Sequence, residues 1–203
     1  MKDLRLSRRQ VLKGAGAIGV LGALGIPTTV FADGKRVRWD IINVDFATGT
    51  LSAGGVASAR ANDDSKITLT GSGTFDSGED RGVTGGGTWK TFNPSGTQTA
   101  SGNYTVRRLF SWIPAPGTPP LPNDNIGIRA NQSAGLAILG IRYSDGSKGS
   151  LTISCHLVGT SDAVFEGITA SKSYVDYWNR EAPPAPPGNA NRTNFHVTSS
   201  EED

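Results

Sequence analysis

Four tryptophans, Trp39, Trp89, Trp112 and Trp178, are spread along the chain in company with Tyr104, Tyr174 and Tyr177. Rings carried on separate strands can line one cavity and grip an apolar or ring-shaped ligand, so these tryptophans are the candidate ligand-binding residues; filling an ordinary core is the competing use. Glu166, His156, Asp45 and Tyr104 are the candidate acids and bases of an enzyme. Glu166, between Phe165 and Gly167-Ile168, is expected at the surface, and an interior position would make it a functional candidate because an unpaired carboxylate is costly to bury. Cys155 beside His156 invites a nucleophile-and-base reading. Neighbours on a strand point to opposite faces, however, so a buried thiol and a solvent-facing imidazole are expected instead. If the faces are reversed, His156 lines the interior and becomes the best acid or base.

Several chemistries are missing their residues. The chain has 2 histidines, His156 and His196, and 1 cysteine, so it holds no His-Glu-x-x-His pair, no Cys-x-x-Cys and no internal disulfide. Gly85-Gly86-Gly87 precedes a strand-like Thr88-Trp89-Lys90 rather than a helix, and so lacks the helix terminus that holds phosphate. A catalytic zinc or a serine triad is not expected, and neither is a cofactor or a metal site. Asp76-Ser77-Gly78-Glu79-Asp80 offers oxygen ligands but lacks the spacing and distal glutamate of a calcium loop; it reads as a solvated turn.

The elements that must position these residues are strands. Between 36 and 178, short period-two segments rich in Val, Ile, Thr and aromatics alternate with Gly, Asp, Asn, Ser and Pro. Segments 51–61 and 65–75 meet at Asn62-Asp63-Asp64, 83–92 and 97–112 at Asn93-Pro94-Ser95-Gly96, and 134–143 and 147–157 at Asp145-Gly146; each pair reads as a hairpin. In the first segment Val37, Trp39 and Ile41 alternate, then Ile42, Val44 and Phe46, a phase change that predicts a bulge at Ile41-Ile42. A last segment, 164–178, breaks near 171–173. The fold class is all-β: a single antiparallel eight-stranded barrel, with a β-sandwich as the alternative. Glycines inside strands, at Gly71, Gly73, Gly85, Gly86, Gly87 and Gly102, favour the barrel because they permit sharp bending and close approach of rings.

Five prolines in 114–125 predict a long exposed loop outside any ladder, able to lid one end of a barrel. From Pro183 the chain reads Pro-Pro-Ala-Pro-Pro-Gly-Asn and ends in Ser-Ser-Glu-Glu-Asp, which predicts a disordered tail over 183–203 that contains His196. The domain is therefore assigned to 33–182.

At the start, Ser7-Arg8-Arg9-Gln10-Val11-Leu12-Lys13 leads into an uncharged run, 14–26, containing five glycines, broken by Pro27. Val30-Phe31-Ala32 supplies a small residue, Ala32, just before the expected cleavage and a tolerated Val two earlier. Residues 1–32 thus read as a helical signal peptide, and Arg8 and Arg9 with their neighbours resemble the twin-arginine translocation motif, with Val11 where that family often has Phe. The resemblance implies passage through the Tat translocase as a folded passenger and a periplasmic or extracellular destination. The apolar run is too short to span hydrocarbon, so no membrane anchor is expected after cleavage. Without the leader the chain carries 15 basic and 17 acidic residues, and no electrostatic case for nucleic acid survives.

The hairpin order and the glycine-with-aromatic strands are similar to small-ligand barrels of lipocalin-like and allene oxide cyclase-like pattern. Val164-Phe165-Glu166-Gly167-Ile168-Thr169-Ala170-Ser171-Lys172, with Tyr174-Val175-Asp176-Tyr177-Trp178, also resembles uncharacterised exported bacterial β-barrel proteins. That second resemblance supplies no activity; the expected function, an exported barrel that encloses or grips a small apolar ligand, rests on the aromatic rings as contact area and the proline loop as a gate. A barrel enzyme of cyclase, isomerase or hydratase type is one alternative, and a structural or interaction protein of the cell envelope is another, favoured if the interior is packed solid.

Overall fold

The computed structural model describes residues 34–77 and 82–198. Arg8, Arg9, Ala32 and most of the acidic turn at 76–80 lie outside them. The described residues hold fourteen strands: β1 (Arg36–Asp45), β2 (Thr50–Ala53), β3 (Ala57–Arg60), β4 (Lys66–Leu69), β5 (Ser72–Asp76), β6 (Gly86–Phe92), β7 (Gln98–Ala115), β8 (Asn123–Asp124), β9 (Gln132–Tyr143), β10 (Lys148–Cys155), β11 (Gly167–Lys172), β12 (Val175–Tyr177), β13 (Asn179–Arg180) and β14 (Arg192–Thr198). A single 3₁₀ turn, Arg129–Asn131, is their only helical element.

The strands close into an antiparallel barrel. Its ring runs β9, β14, β1, β5, β6, β7 and back to β9. It has six strands rather than the expected eight, and closure removes the sandwich alternative. The count falls because runs that read as continuous are broken. Gly54 (φ +92°) separates β2 from β3, Gly71 (φ +147°) separates β4 from β5, and Ser173 (φ +56°) turns β11 back as β12. The pieces then pair elsewhere: β4, β3 and β13 continue from β6 beyond β5, while β10, β11 and β12 continue from β9 beyond β14. The weakest seam of the ring is β5 to β6, with one residue pair, Ser72 opposite Gly86. A Cβ on Gly73 would lie 2.3 Å from the Thr84 carbonyl oxygen, and one on Gly87 2.0 Å from that of Thr70, so only glycine lets these backbones meet.

All three hairpins form, at β3–β4, β6–β7 and β9–β10. One continuous core fills the barrel, drawing Val37, Trp39 and Ile41 from β1, Phe75 from β5, Trp89 from β6, Leu139 and Ile141 from β9, Leu151 and Ile153 from β10, and Phe195 from β14. The face change on β1 involves no bulge: its ladder with β14 runs in register from Arg36–Thr198 to Ile42–Arg192. Both faces of β1 are apolar because both are covered. Ile42 and Val44 join Leu51 in a second small core under Leu121 and Ile126.

That cover corrects the reading of 114–125. Pro114 lies within β7, opposite Gly135, where β7 has passed the end of β6 and its free edge tolerates a missing N–H. Beyond it the chain returns across the outside of the wall as a strap. Its β8 pairs in parallel with β2, and the Arg129 guanidinium donates to the carbonyls of Leu121 and Pro119 at 2.6 and 2.7 Å.

The tail expectation fails more deeply, since residues 192–198 form β14, a ring strand buried from Thr193 to His196. Its sequence, Arg-Thr-Asn-Phe-His-Val-Thr, offers two apolar residues, and its buried polar groups bond to the strap and to β10 instead of to water.

Candidate functional site

The tryptophans do not converge. Trp39 and Trp89 are fully buried in the core, Trp112 is wedged against Phe195 and Phe75 with centroids 4.5 and 5.6 Å away, and Trp178 is 56% exposed. Trp89 belongs to a separate ring cluster: it meets Tyr143 edge-on at 5.6 Å, and Tyr104 lies 6.4 Å from Tyr143. Rings expected to line a cavity fill it.

The candidate acids and bases also scatter, with one exception. Asp45 sits at an exposed turn, accepting from the Ala47 amide at 2.9 Å, and these turn bonds hold its pKa below the ordinary value. Tyr104 is buried and donates its hydroxyl to the Thr70 carbonyl, and burial raises its pKa. Glu166 and His156 do meet, through the backbone. Contrary to the expected surface placement, the Glu166 carboxylate turns inward and accepts the amides of His156 and Thr193, both at 2.6 Å. Burial pushes its pKa up to about 7, against the lowering pull of those amides. The His156 ring bonds through Nδ1 to the Val164 carbonyl at 2.7 Å, bracing the same loop. Cys155 is buried on the opposite face as expected, and burial followed by the nearby Glu166 charge raises its pKa, which disfavours the thiolate.

A buried polar cluster forms around His196, which the sequence placed in a disordered tail. His196 Nε2 is 2.7 Å from Asp124 Oδ2, and the two side chains are 4% and 2% exposed. Asp124 comes from β8 in the strap and His196 from β14 in the wall. The same carboxylate accepts Gln132 Nε2 at 2.6 Å and the amides of Ile126 and Gly127 at 2.9 and 3.1 Å. Burial alone would raise the pKa of Asp124, but these bonds, led by His196, outweigh it and hold it below the ordinary value. An ionised Asp124 takes the Nε2–H of His196, while the buried Nδ1 of that ring has no hydrogen-bond partner. Gly127 lies flat on the imidazole, where a Cβ would come within 2.9 Å of Cδ2. Sealed in this way, the pair is a latch between strap and barrel; no substrate reaches it. Its only sequence signal was His196 itself, at alternating spacing with Asn194 and Thr198.

Open surface features lie on the outer face of β7, β9 and β10. A groove of about 590 Å³ is lined by Arg107, Arg108, Phe110, Gly140, Arg142 and Lys148. It shares Arg107 and Arg142 with a second of about 310 Å³ that continues to Asn103, Thr105, Ser144 and Gly146. An irregularity in the β7–β9 ladder between Val106 and Arg108 turns two consecutive arginines to solvent. Gly140 forms the floor: a Cβ there would lie 3.0 Å from both Arg108 Cγ and Phe110 Cε2, so its absence lets both side chains lie down, with the guanidinium 4.2 Å over the ring. Among the described residues none of these four cations has an acidic partner within 4.0 Å. The one carboxylate at the trough's end, Asp145, is paired with Lys172, which holds its pKa down to about 2.

Comparison of the chain with protein families, with curated proteins and with solved structures finds no match.

Proposed function

We propose that this protein is an exported binding module that engages an anionic ligand on the outer face of β7, β9 and β10. One observation carries the reading: four unpaired cations, Arg107, Arg108, Arg142 and Lys148, converge over one open groove beside an exposed ring, Phe110. Guanidinium groups without acidic partners are poised to take carboxylate, phosphate or sulfate oxygens in paired hydrogen bonds. The filled interior turns the reading from an enclosed apolar ligand, which would have to displace Trp39 or Trp89 from the core, to the outer sheet face that an interaction protein of the cell envelope would use. The enzyme alternative rests on Glu166, whose pKa near 7 suits proton transfer, but that carboxylate lines neither groove and is committed to two backbone amides.

The test is retention on a sulfonate cation-exchange matrix at neutral pH. Because the chain without its leader carries 15 basic against 17 acidic residues, net charge does not favour binding, and retention is expected to depend on the groove. R107S/R142S should elute early. Retention unchanged in that variant, or an apolar molecule co-purifying at one per chain in native mass spectrometry, would overturn the reading.

A further inference from the structure

Resting on the outer-face reading, we infer that the ligand is a linear acidic polysaccharide, bound lengthwise along the β7–β9 trough. The two grooves meet at Arg107 and Arg142 and together run from the Gly146 turn to Phe110. At the usual rise per strand residue that is a path of about 20 Å, several times the size of one anion. The cations hold its middle and its Phe110 end: Arg142 lies opposite Lys148 across β9–β10, Arg108 lies opposite Gly140, two residues further along β9, and the Arg108 guanidinium sits over the Phe110 ring. Toward Gly146 the trough continues past its charges, which suits a chain and leaves a small polyanion with nothing to touch there.

The lining chooses among polymers. Toward Gly146 it presents the amide and hydroxyl side chains of Asn103, Thr105 and Ser144, partners for a ligand rich in hydroxyl groups. Toward the other end the 53% exposed Phe110 carries the Arg108 guanidinium over its ring, so an acidic sugar meets a cation there beside an apolar ring edge. A nucleic-acid strand takes a series of stacking rings, one per base, and the exposed ring lining this trough, Phe110, is already covered by Arg108. A carboxylated and a sulfated glycan present the same chemistry to the arginines, and the test separates them.

The test is calorimetric titration of the protein with galacturonate oligomers of increasing length, sulfated oligosaccharides of matched length, neutral dextran oligomers, an oligodeoxythymidylate and free citrate. Affinity for one acidic series should rise about tenfold from monomer to hexamer as successive contacts act together, and should weaken with salt. The series that binds tighter identifies the acid group. R107E/R142E should lose about tenfold or more of that affinity, while K90E, a charge reversal on β6 away from the trough, should leave it within about twofold. Binding of citrate through Arg107 and Arg142 with no gain from length would overturn the polysaccharide and leave the anion groove standing. Equal or tighter binding of the oligodeoxythymidylate, or of dextran, would overturn the polysaccharide as well. No binding of any acidic probe would overturn both the polysaccharide and the groove.

Discussion

Glu166 gives the fold a pH-dependent contribution to stability. Its carboxyl has a pKa of about 7 in the folded protein against an ordinary glutamate value near 4.5, so the folded state holds a proton that the unfolded chain releases earlier. Stability from this group is greatest below the ordinary value, declines as pH rises through it, and levels off above about 7. The full difference is on the order of 3 kcal/mol. Melting temperatures across that range should fall with pH in the wild-type protein and flatten in E166Q. Asp124 runs the other way: its pKa is lowered, so its contribution is present above the ordinary aspartate value and is lost as pH falls through the folded one. D124N replaces one acceptor oxygen with an NH2 donor that faces other donors, the side chains of His196 and Gln132 or the amides of Ile126 and Gly127, and urea unfolding should show a loss of about 2–4 kcal/mol. The opposite faces of Cys155 and His156 were legible from alternation alone. The inward turn of Glu166 was not, because its two partners belong to a loop and to a strand 27 residues away.

Elements announced by turn chemistry were readable. Asn93 accepts the Thr97 amide at 2.9 Å and Asp145 the Ser147 amide at 3.0 Å, local bonds that reverse the chain whatever surrounds it. Elements defined by distant partners were not. Strand β14 reads as polar tail because periodicity assumes one wet face, whereas its polar side chains are buried against strap and sheet. Its place in the ring makes it indispensable. A chain ending at Asn191 lacks the partner of β1 along seven residue pairs and lacks Phe195 in the core. Such a chain is expected to lose near-ultraviolet dichroism and bind a hydrophobic dye; a cooperative melt like that of the full chain would contradict the role assigned to β14.

For the molecule as a whole, glycine-punctuated hairpins were enough to indicate a closed all-β wall, because in-strand glycines such as Gly73 and Gly87 have few other uses. The ring number was not legible, since Gly54, Gly71 and Ser173 divide strands without leaving a long loop between the pieces. Whether aromatic rings line a space or occupy it is also invisible in one dimension: Trp89 and Trp112 look alike in sequence, yet they sit in separate ring clusters. The candidate groove escaped for a related reason. Arg107-Arg108, Arg142 and Lys148 are unremarkable along the chain and become a group only when three strands lie side by side.

The pairing of β1 with β14 sets Arg36 directly across from Thr198. The chain thus enters and leaves the wall at one seam, and its direction around the ring has no natural origin. A short bridge between those two residues, with the backbone cut open at the Asn93–Gly96 reversal, would leave every ladder with its present neighbours. The same seam would also make a cargo joined directly at Arg36 or at Thr198 emerge from one spot.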